Sequence, residues 1–205
     1  MNPLIIHWET IYQKKLPSEV SWYQVHPKLS LQLIQKTGIT LAQPFIEVGG
    51  GASVLIDHLL DMGLTELTVL DLSMTALQQM KNRLSHKANN IQWIETDITT
   101  FQPPQQYYCW HDRAVFHFLT NAQDRHNYVE VLKSSILPNG YVIIATFATD
   151  GPQQCSGLEI VQYDAPKIRE ELGEEFSLLE VHDEIHLTPT QAEQKFSYFL
   201  FNRLN

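Results

Sequence analysis

The sequence predicts an α/β domain: a mostly parallel, seven-stranded sheet, doubly wound with helices on both faces and with an antiparallel last strand. Three observations carry this. Apolar runs of strand length alternate with helically spaced segments between residues 28 and 147. The first run, Phe45-Ile46-Glu47-Val48, enters three consecutive glycines, Gly49-Gly50-Gly51, before helical spacing resumes. The last two strand-like runs have no helical pattern between them, so they pair antiparallel.

The elements follow in order. Leu29, Leu33 and Ile34 give helical spacing over Lys28 to Lys36, with Gly38 placed to cap it. Residues 45 to 48 are the first strand, and Val54, Leu55, Ile56, Leu59 and Leu60 supply the apolar face of the next helix. Leu67 to Leu70 forms the second strand and ends in Asp71; Ser73 is placed to cap a helix running to Leu84. Ile91 to Ile94 and Tyr107 to Trp110 are the third and fourth strands. Helical patterns cover Val115 to Leu119 and Gln123 to Ser135, and Leu137-Pro138-Asn139-Gly140 reads as a turn before a fifth strand, Tyr141 to Phe147. Phe176 to Ile185 and Lys195 to Phe201 form the closing hairpin.

With 205 residues and 43% hydrophobic content the chain builds one domain, residues 1 to 205, in which residues 1 to 38 are expected to form an N-terminal helical cap or lid on a core of residues 39 to 205. A formal net charge of −9 argues against a large nucleic-acid surface. Two cysteines far apart, Cys109 and Cys155, fit a reducing compartment, and no apolar run approaches membrane-spanning length, so the expected address is cytoplasmic. His182 and His186 stand four residues apart on a strand, about 13 Å at roughly 3.3 Å per residue, too far for one ion. No metal is expected.

A glycine-rich strand-to-helix turn lets a ligand reach bare backbone, and an acid 20 residues after the last glycine (71 − 51 = 20) can accept ribose hydroxyls. This pattern alone admits a nicotinamide dinucleotide as well as other adenosine cofactors. The dinucleotide fingerprint is incomplete, since Val54 stands where its last glycine would be. Each residue also has a local reading: a tight turn for Gly50 and Gly51, a helix-start acid for Asp71, an Asx turn for Asp97.

From about residue 40 onward the chain resembles the class I, Rossmann-like S-adenosylmethionine-dependent methyltransferases, in a bacterial subgroup of undefined substrate. The resemblance rests on Glu47 before Gly49-Gly50-Gly51-Ala52-Ser53, Asp71, Asp97 after the third strand, and the terminal hairpin. It implies S-adenosyl-L-methionine as cofactor and a sheet order of 3-2-1-4-5-7-6. It places Glu47 at the ammonium, Gly49, Gly50, Gly51 and Ser53 along the methionine portion and ribose, and Asp71 at the ribose hydroxyls. Asp97 meets the adenine amino group, with Leu72 and Ile98 against the ring.

In the resembled fold, Trp110-His111-Asp112-Arg113-Ala114-Val115-Phe116-His117 borders the transferable methyl group. Asp112 is a candidate to orient the nucleophile, Arg113 to bind an anionic part of the substrate, and His117 to accept a proton. The competing readings are a helix cap, a surface residue and a core histidine. Trp22 and Tyr23, within Val20 to Pro27, are candidate lid residues over the substrate, with Tyr23 near the reacting centre; both also suit ordinary packing. The expected acceptor is a small molecule or an exposed protein side chain such as lysine. A nicotinamide-dependent oxidoreductase, or a cofactor-binding sensor without turnover, is the alternative.

Overall fold

The computed structural model describes residues 3–205. Helices α1 (Pro3–Lys14) and α2 (Lys28–Lys36) precede strand β1 (Phe45–Val48). Then come α3 (Leu55–Asp61), β2 (Leu67–Asp71), α4 (Met74–Leu84), β3 (Ile91–Glu95), β4 (Tyr107–Arg113), α5 (Ala122–Ser135) and β5 (Ile136–Phe147). Two-residue strands β6 (Gln154–Cys155) and β7 (Leu158–Glu159) lead to α6 (Ala165–Leu172) and the hairpin of β8 (Phe176–Leu187) and β9 (Glu193–Arg203).

The main sheet has the order β3-β2-β1-β4-β5-β9-β8, which is the expected order once the two minor strands are set aside. Strands β1 to β5 pair in parallel, and β9 runs antiparallel to both β5 and β8. Side chains alternate across β1, so Phe45 packs with Leu33, Ile56 and Met80 on one side of the sheet, while Ile46 and Val48 pack with Tyr128, Leu132 and Ile168 on the other. Both faces are covered, which is why β1 and β2 are buried along their whole length.

Local signals set the helix starts. Ser73 Oγ accepts from the Ala76 amide at 3.1 Å, and Asn121 Oδ1 from Gln123 at 2.8 Å. Asp164 Oδ1 accepts from Lys167 at 3.0 Å, opening α6, an element whose eight-residue apolar signal escapes sequence periodicity. Gly38, at φ +69, stands just beyond the end of α2.

Three expectations are corrected. Residues Val115 to Leu119 form only a short 3-10 turn, Phe116–Phe118, because Asp112 accepts from the Val115 and Phe116 amides and holds the chain in a tight bend. The turn at Leu137 to Gly140 lies inside β5 as a bulge: Tyr107 pairs with Ile136 and Cys109 with Tyr141, and Asn139 takes φ +61 to absorb the extra residues. The closing strands are also longer than expected, β8 at its end and β9 at both ends, because the ladder continues through the pairs His186 with Gln194 and Leu187 with Glu193 at the turn and through Asn202 and Arg203 at the other end. No described helix is long and apolar enough to cross a membrane.

Candidate functional site

The carboxyl ends of β1, β2 and β4 converge on the glycine turn. The Gly49 and Gly50 amides donate to Leu70 O at 2.7 and 3.2 Å, pulling the turn across to β2. Gly49 sits at φ +68, and a Cβ there would lie 2.2 Å from Val115 Cγ2, so another residue would be strained in its backbone and would have to push the Val115 side chain aside. Asp71 closes the far side: its Oδ2 accepts from the Gly51 amide at 2.9 Å and its Oδ1 from Ser73 at 2.8 Å. Burial raises its pKa to about 6 even against those hydrogen bonds.

Two cavities meet over this turn, sharing Trp22, Val48, Gly49 and Arg113 as walls. The larger, about 110 Å³, is floored by Asp71, Leu72, Asp97, Ile98 and Val115. Asp97 Oδ1 caps the following turn through the Thr99 amide and hydroxyl, at 3.0 and 2.8 Å. Its roof is aromatic: Trp8 of α1 packs edge-on against Trp22 at 5.7 Å and Phe118 at 5.1 Å between ring centroids, and Tyr12 meets Trp22 at 6.3 Å. Glu9 latches this roof to α4. Its Oε1 accepts from Ser73 Oγ at 2.8 Å and from the Thr75 amide at 3.1 Å, and its Oε2 accepts from the Thr75 hydroxyl. Burial pushes the Glu9 carboxyl up, but the hydrogen bonds from Thr75 and Ser73 together leave it below its ordinary value.

The smaller cavity, about 40 Å³, is polar, with Glu47, Ser53, His111, Arg113, Tyr23 and Gln24 among its walls. Glu47 is 3% exposed, and burial raises its pKa to about 8. His111 donates to or accepts from Ser30 Oγ through Nε2 at 2.9 Å; burial, and then the Arg113 charge, lower its pKa to about 3, so it is neutral. Arg113 donates from Nε to Tyr198 Oη at 2.8 Å and from Nη1 to Trp22 O at 3.0 Å, lies over the Phe196 ring, and stands 3.6 Å from Glu184 Oε2.

The structure thus brings Glu47, Gly49, Ser53, Asp71, Leu72, Asp97, Ile98, Trp22, Tyr23 and Arg113 to the two cavities, with Gly50 and Gly51 forming the turn beneath. Asp112 and His117 are not on their walls. Asp112 points to the opposite face of β4 from His111 and Arg113, where its Oδ2 accepts from Tyr128 Oη at 2.7 Å and burial raises its pKa to about 7. His117 is fully buried between Phe118 and Phe147, its Nδ1 accepting from the Phe147 amide at 3.4 Å. Cys155 lines the larger cavity as a thiol whose pKa burial raises to about 11, the reverse of activation. Among the described residues no three His, Cys, Asp or Glu side chains gather where they could hold a metal ion.

Within the expected N-terminal cap, Leu4, Trp8 and Tyr12 of α1 line the larger cavity without having been singled out, and His111 joins the smaller one likewise. A sequence signal existed for each: Leu4, Trp8 and Tyr12 recur every four residues, and His111 precedes Arg113 by two on an alternating strand.

Comparison with known proteins agrees with this geometry. A family model described as a methyltransferase domain matches residues 45–140. The eEF1A lysine and N-terminal methyltransferase of Mus musculus is 24% identical over 98 residues, 48% of this chain and 14% of that protein. Malonyl-[acyl-carrier protein] O-methyltransferase 2 of Ilyobacter polytropus is 22% identical over 134 residues, 62% of this chain and 50% of that protein. The chain therefore matches half or less of each of these relatives' length. Among solved structures, a SAM-dependent methyltransferase from Anabaena variabilis superposes with TM-score 0.74 at 14% identity, covering 99% of this chain and 96% of that one. The N-methyltransferase NodS from Bradyrhizobium japonicum, in complex with S-adenosyl-l-homocysteine, gives 0.73 at 14% identity, covering 96% and 98%. Residues 45–140 thus match a methyltransferase-domain model, and the chain has the fold of these solved methyltransferases, which leaves the ligand of its glycine turn to the proposed function.

Proposed function

We propose that the chain transfers a methyl group from S-adenosylmethionine to a small molecule or to an exposed protein side chain such as a lysine amine. One observation carries this reading: two cavities of different character join over Gly49, a larger one with carboxylates at its floor and a smaller polar one beside Glu47. The residues present fit the cofactor. Asp71 keeps lone pairs for ribose hydroxyls beyond the two amides it accepts, Asp97 stands for the adenine amino group, and Leu72 and Ile98 pack on the ring. Gly49, Gly50, Gly51 and Ser53 offer bare backbone and a hydroxyl to the methionine portion, and Glu47 Oε2, buried without a partner, suits an ammonium.

When bound, S-adenosylmethionine supplies a methyl group on a positively charged sulfur that is already a good leaving group. What remains for the protein is alignment and exclusion of water. Trp22 walls the junction of the cavities and Tyr23 the smaller one, α1 closes over the larger as part of the lid of residues 1 to 38, and Arg113 offers a buried cation to an anionic group. Asp112 and His117 contribute by holding the bend at residues 112 to 117 in place beside Gly49, through their hydrogen bonds to main-chain amides. Of the named relatives, one is a lysine and N-terminal methyltransferase, which supports the side-chain acceptor, and one methylates malonyl-[acyl-carrier protein], an acyl group carried on a protein. The net charge of −9 favours such acceptors over nucleic acid, and two buried free thiols support a reducing, cytoplasmic address.

Calorimetric titration with S-adenosylhomocysteine and with NADH tests the reading. Saturable binding of the first is expected; binding of NADH alone overturns it. Incubation with methyl-labelled cofactor and cell extract then identifies the acceptor.

A further inference from the structure

Strand β8 ends the main sheet, and among the described residues its only strand partner is β9. A sheet edge offers unpaired backbone N–H and C=O groups to any other strand, so edges are ordinarily short or guarded by lysine or proline. The opposite edge follows that rule, because β3 has five residues. Strand β8 has twelve, with no lysine and no proline. Its outward side chains are also apolar: Leu179, Val181, Ile185 and Leu187 are between 44% and 60% exposed, with exposed Asp183 at their centre.

These five residues share one face of the strand, and Glu180, His182, Glu184 and His186 share the other. Their order from 179 to 187, Leu-Glu-Val-His-Asp-Glu-Ile-His-Leu, is symmetric in character about Asp183. A twofold axis beside Asp183, perpendicular to the sheet, runs a second β8 antiparallel to the first. Leu179 then faces Leu187 of the second copy and Val181 faces its Ile185, so every exposed apolar side chain meets another. On the other face Glu180 meets His186 and His182 meets Glu184, so no two acids are opposed there. Moving the axis by one residue sets Asp183 against Val181 or Ile185, and moving it by two sets Asp183 against Leu179 or Leu187. The one like-charge pair, Asp183 with its own copy, is softened within each chain. Asp183 Oδ1 accepts from Ser197 Oγ at 2.8 Å, which draws the carboxylate across to its register partner on β9 and away from the edge.

We infer that β8 pairs edge to edge with β8 of a second copy of this chain, joining two seven-stranded sheets into one across a twofold axis beside Asp183. The inference does not depend on the methyl-transfer reading, yet the interface reaches the site. The inner face of β8 braces its wall: Glu184 accepts from Gln24 Nε2 at 3.1 Å and from Tyr198 Oη at 3.0 Å, and His186 Nε2 donates to Ser21 O at 2.7 Å. These bonds occupy the inner face and leave the outer edge for the second copy.

Sedimentation equilibrium on the full chain tests this. Wild type is expected to be at least half dimeric at about 100 μM, the weak range of a small interface. Val181→Lys and Ile185→Glu are each expected to weaken association at least tenfold. Mixed together, the two variants are expected to associate within threefold of wild type, because residue 181 of one copy faces residue 185 of the other and Lys meets Glu. Wild type that stays monomeric overturns the inference and leaves the edge to a different protein. Association that survives either substitution, or a mixture no tighter than its components, overturns it as well. Should the charged variants fail to fold, Asp183→Asn keeps the shape and removes the like charges at the axis. It is expected to associate at least threefold more tightly than wild type, and equal or weaker association overturns the inference.

Discussion

The Gly51 amide donates to Asp71 Oδ2 at 2.9 Å, tying the glycine turn after β1 to the end of β2. The contact leaves no room for a side chain. A Cβ on residue 51 would lie 2.8 Å from that same oxygen and 2.6 Å from Ala76 Cβ. Gly51→Ala is therefore expected to destabilise the fold by about 1–3 kcal/mol, as overpacking does, and to lower S-adenosylhomocysteine affinity at least tenfold. Urea unfolding and calorimetry read the two effects. An unchanged affinity would show that the turn does not cradle the cofactor.

Asp71→Ala removes the acceptor proposed for the ribose hydroxyls. The expected loss of cofactor affinity is about 1–3 kcal/mol, the scale of hydrogen bonds to a charged acceptor. Binding as tight as wild type would place the ribose elsewhere.

Asp112→Ala strands the Val115 and Phe116 amides and the Tyr128 hydroxyl inside the core. It is expected to cost about 3 kcal/mol of stability, since buried donors lose their acceptor. Asp112→Asn, which keeps one acceptor oxygen, should cost less. A variant of full stability that has lost turnover would return Asp112 to a direct part in catalysis.

The ligand-free protein is expected to lose stability as pH rises from 6.5 to 8.5. Burial raises the folded pKa of Glu47 to about 8 and that of Asp112 to about 7, so the folded state holds protons that the unfolded chain has already released. Around Glu47, Asp57 and Asp71 reinforce the shift while Ser53 and Arg83 oppose it. His111 and His117, lowered to about 3, and His186, also lowered by burial, act with the opposite sign until the unfolded histidine, half titrated at about pH 6.5, has lost its proton about one unit higher, so they blunt only the lower part of this fall. Thermal unfolding across this window checks the sign; a rising midpoint would refute it. Saturating S-adenosylhomocysteine should flatten the fall, because an ammonium beside Glu47 favours its ionised form.

Glu9→Ala cuts the latch between α1 and the start of α4. If α1 roofs the bound adenosine, S-adenosylhomocysteine should leave roughly tenfold faster, equivalent to about 1.4 kcal/mol. Stopped-flow displacement measures this directly. An unchanged rate would mean that the ligand leaves by a path that does not lift α1.

The succession of strands and helices along the chain and the glycine turn were legible because they depend on local pattern, namely apolar runs, their spacing, and glycines where a Cβ has no room; the order of the strands within the sheet followed only from the family resemblance. Asp71 and Asp97 were legible for a related reason, since a residue just past a parallel strand is delivered to the same edge as its neighbours. The bulge in β5 was not, because Pro138-Asn139-Gly140 has the composition of a turn whether the chain reverses there or continues. Helix α6 was not, because eight residues hold too few apolar positions to show a period.

The site divides in the same way. Sequence alone determined which strand ends carry acids and glycines, and hence the fold class and the family that the chain resembles. Only the tertiary structure decided which side chains of β4 face the cavities. Alternation along a strand sends Asp112 to one side and His111 and Arg113 to the other, and the sequence does not say which side holds the cavity. Register decided the rest: Glu47 gains His111 as its neighbour because β4 pairs with β1 at that position, a contact between residues 64 apart (111 − 47 = 64) that no local pattern encodes.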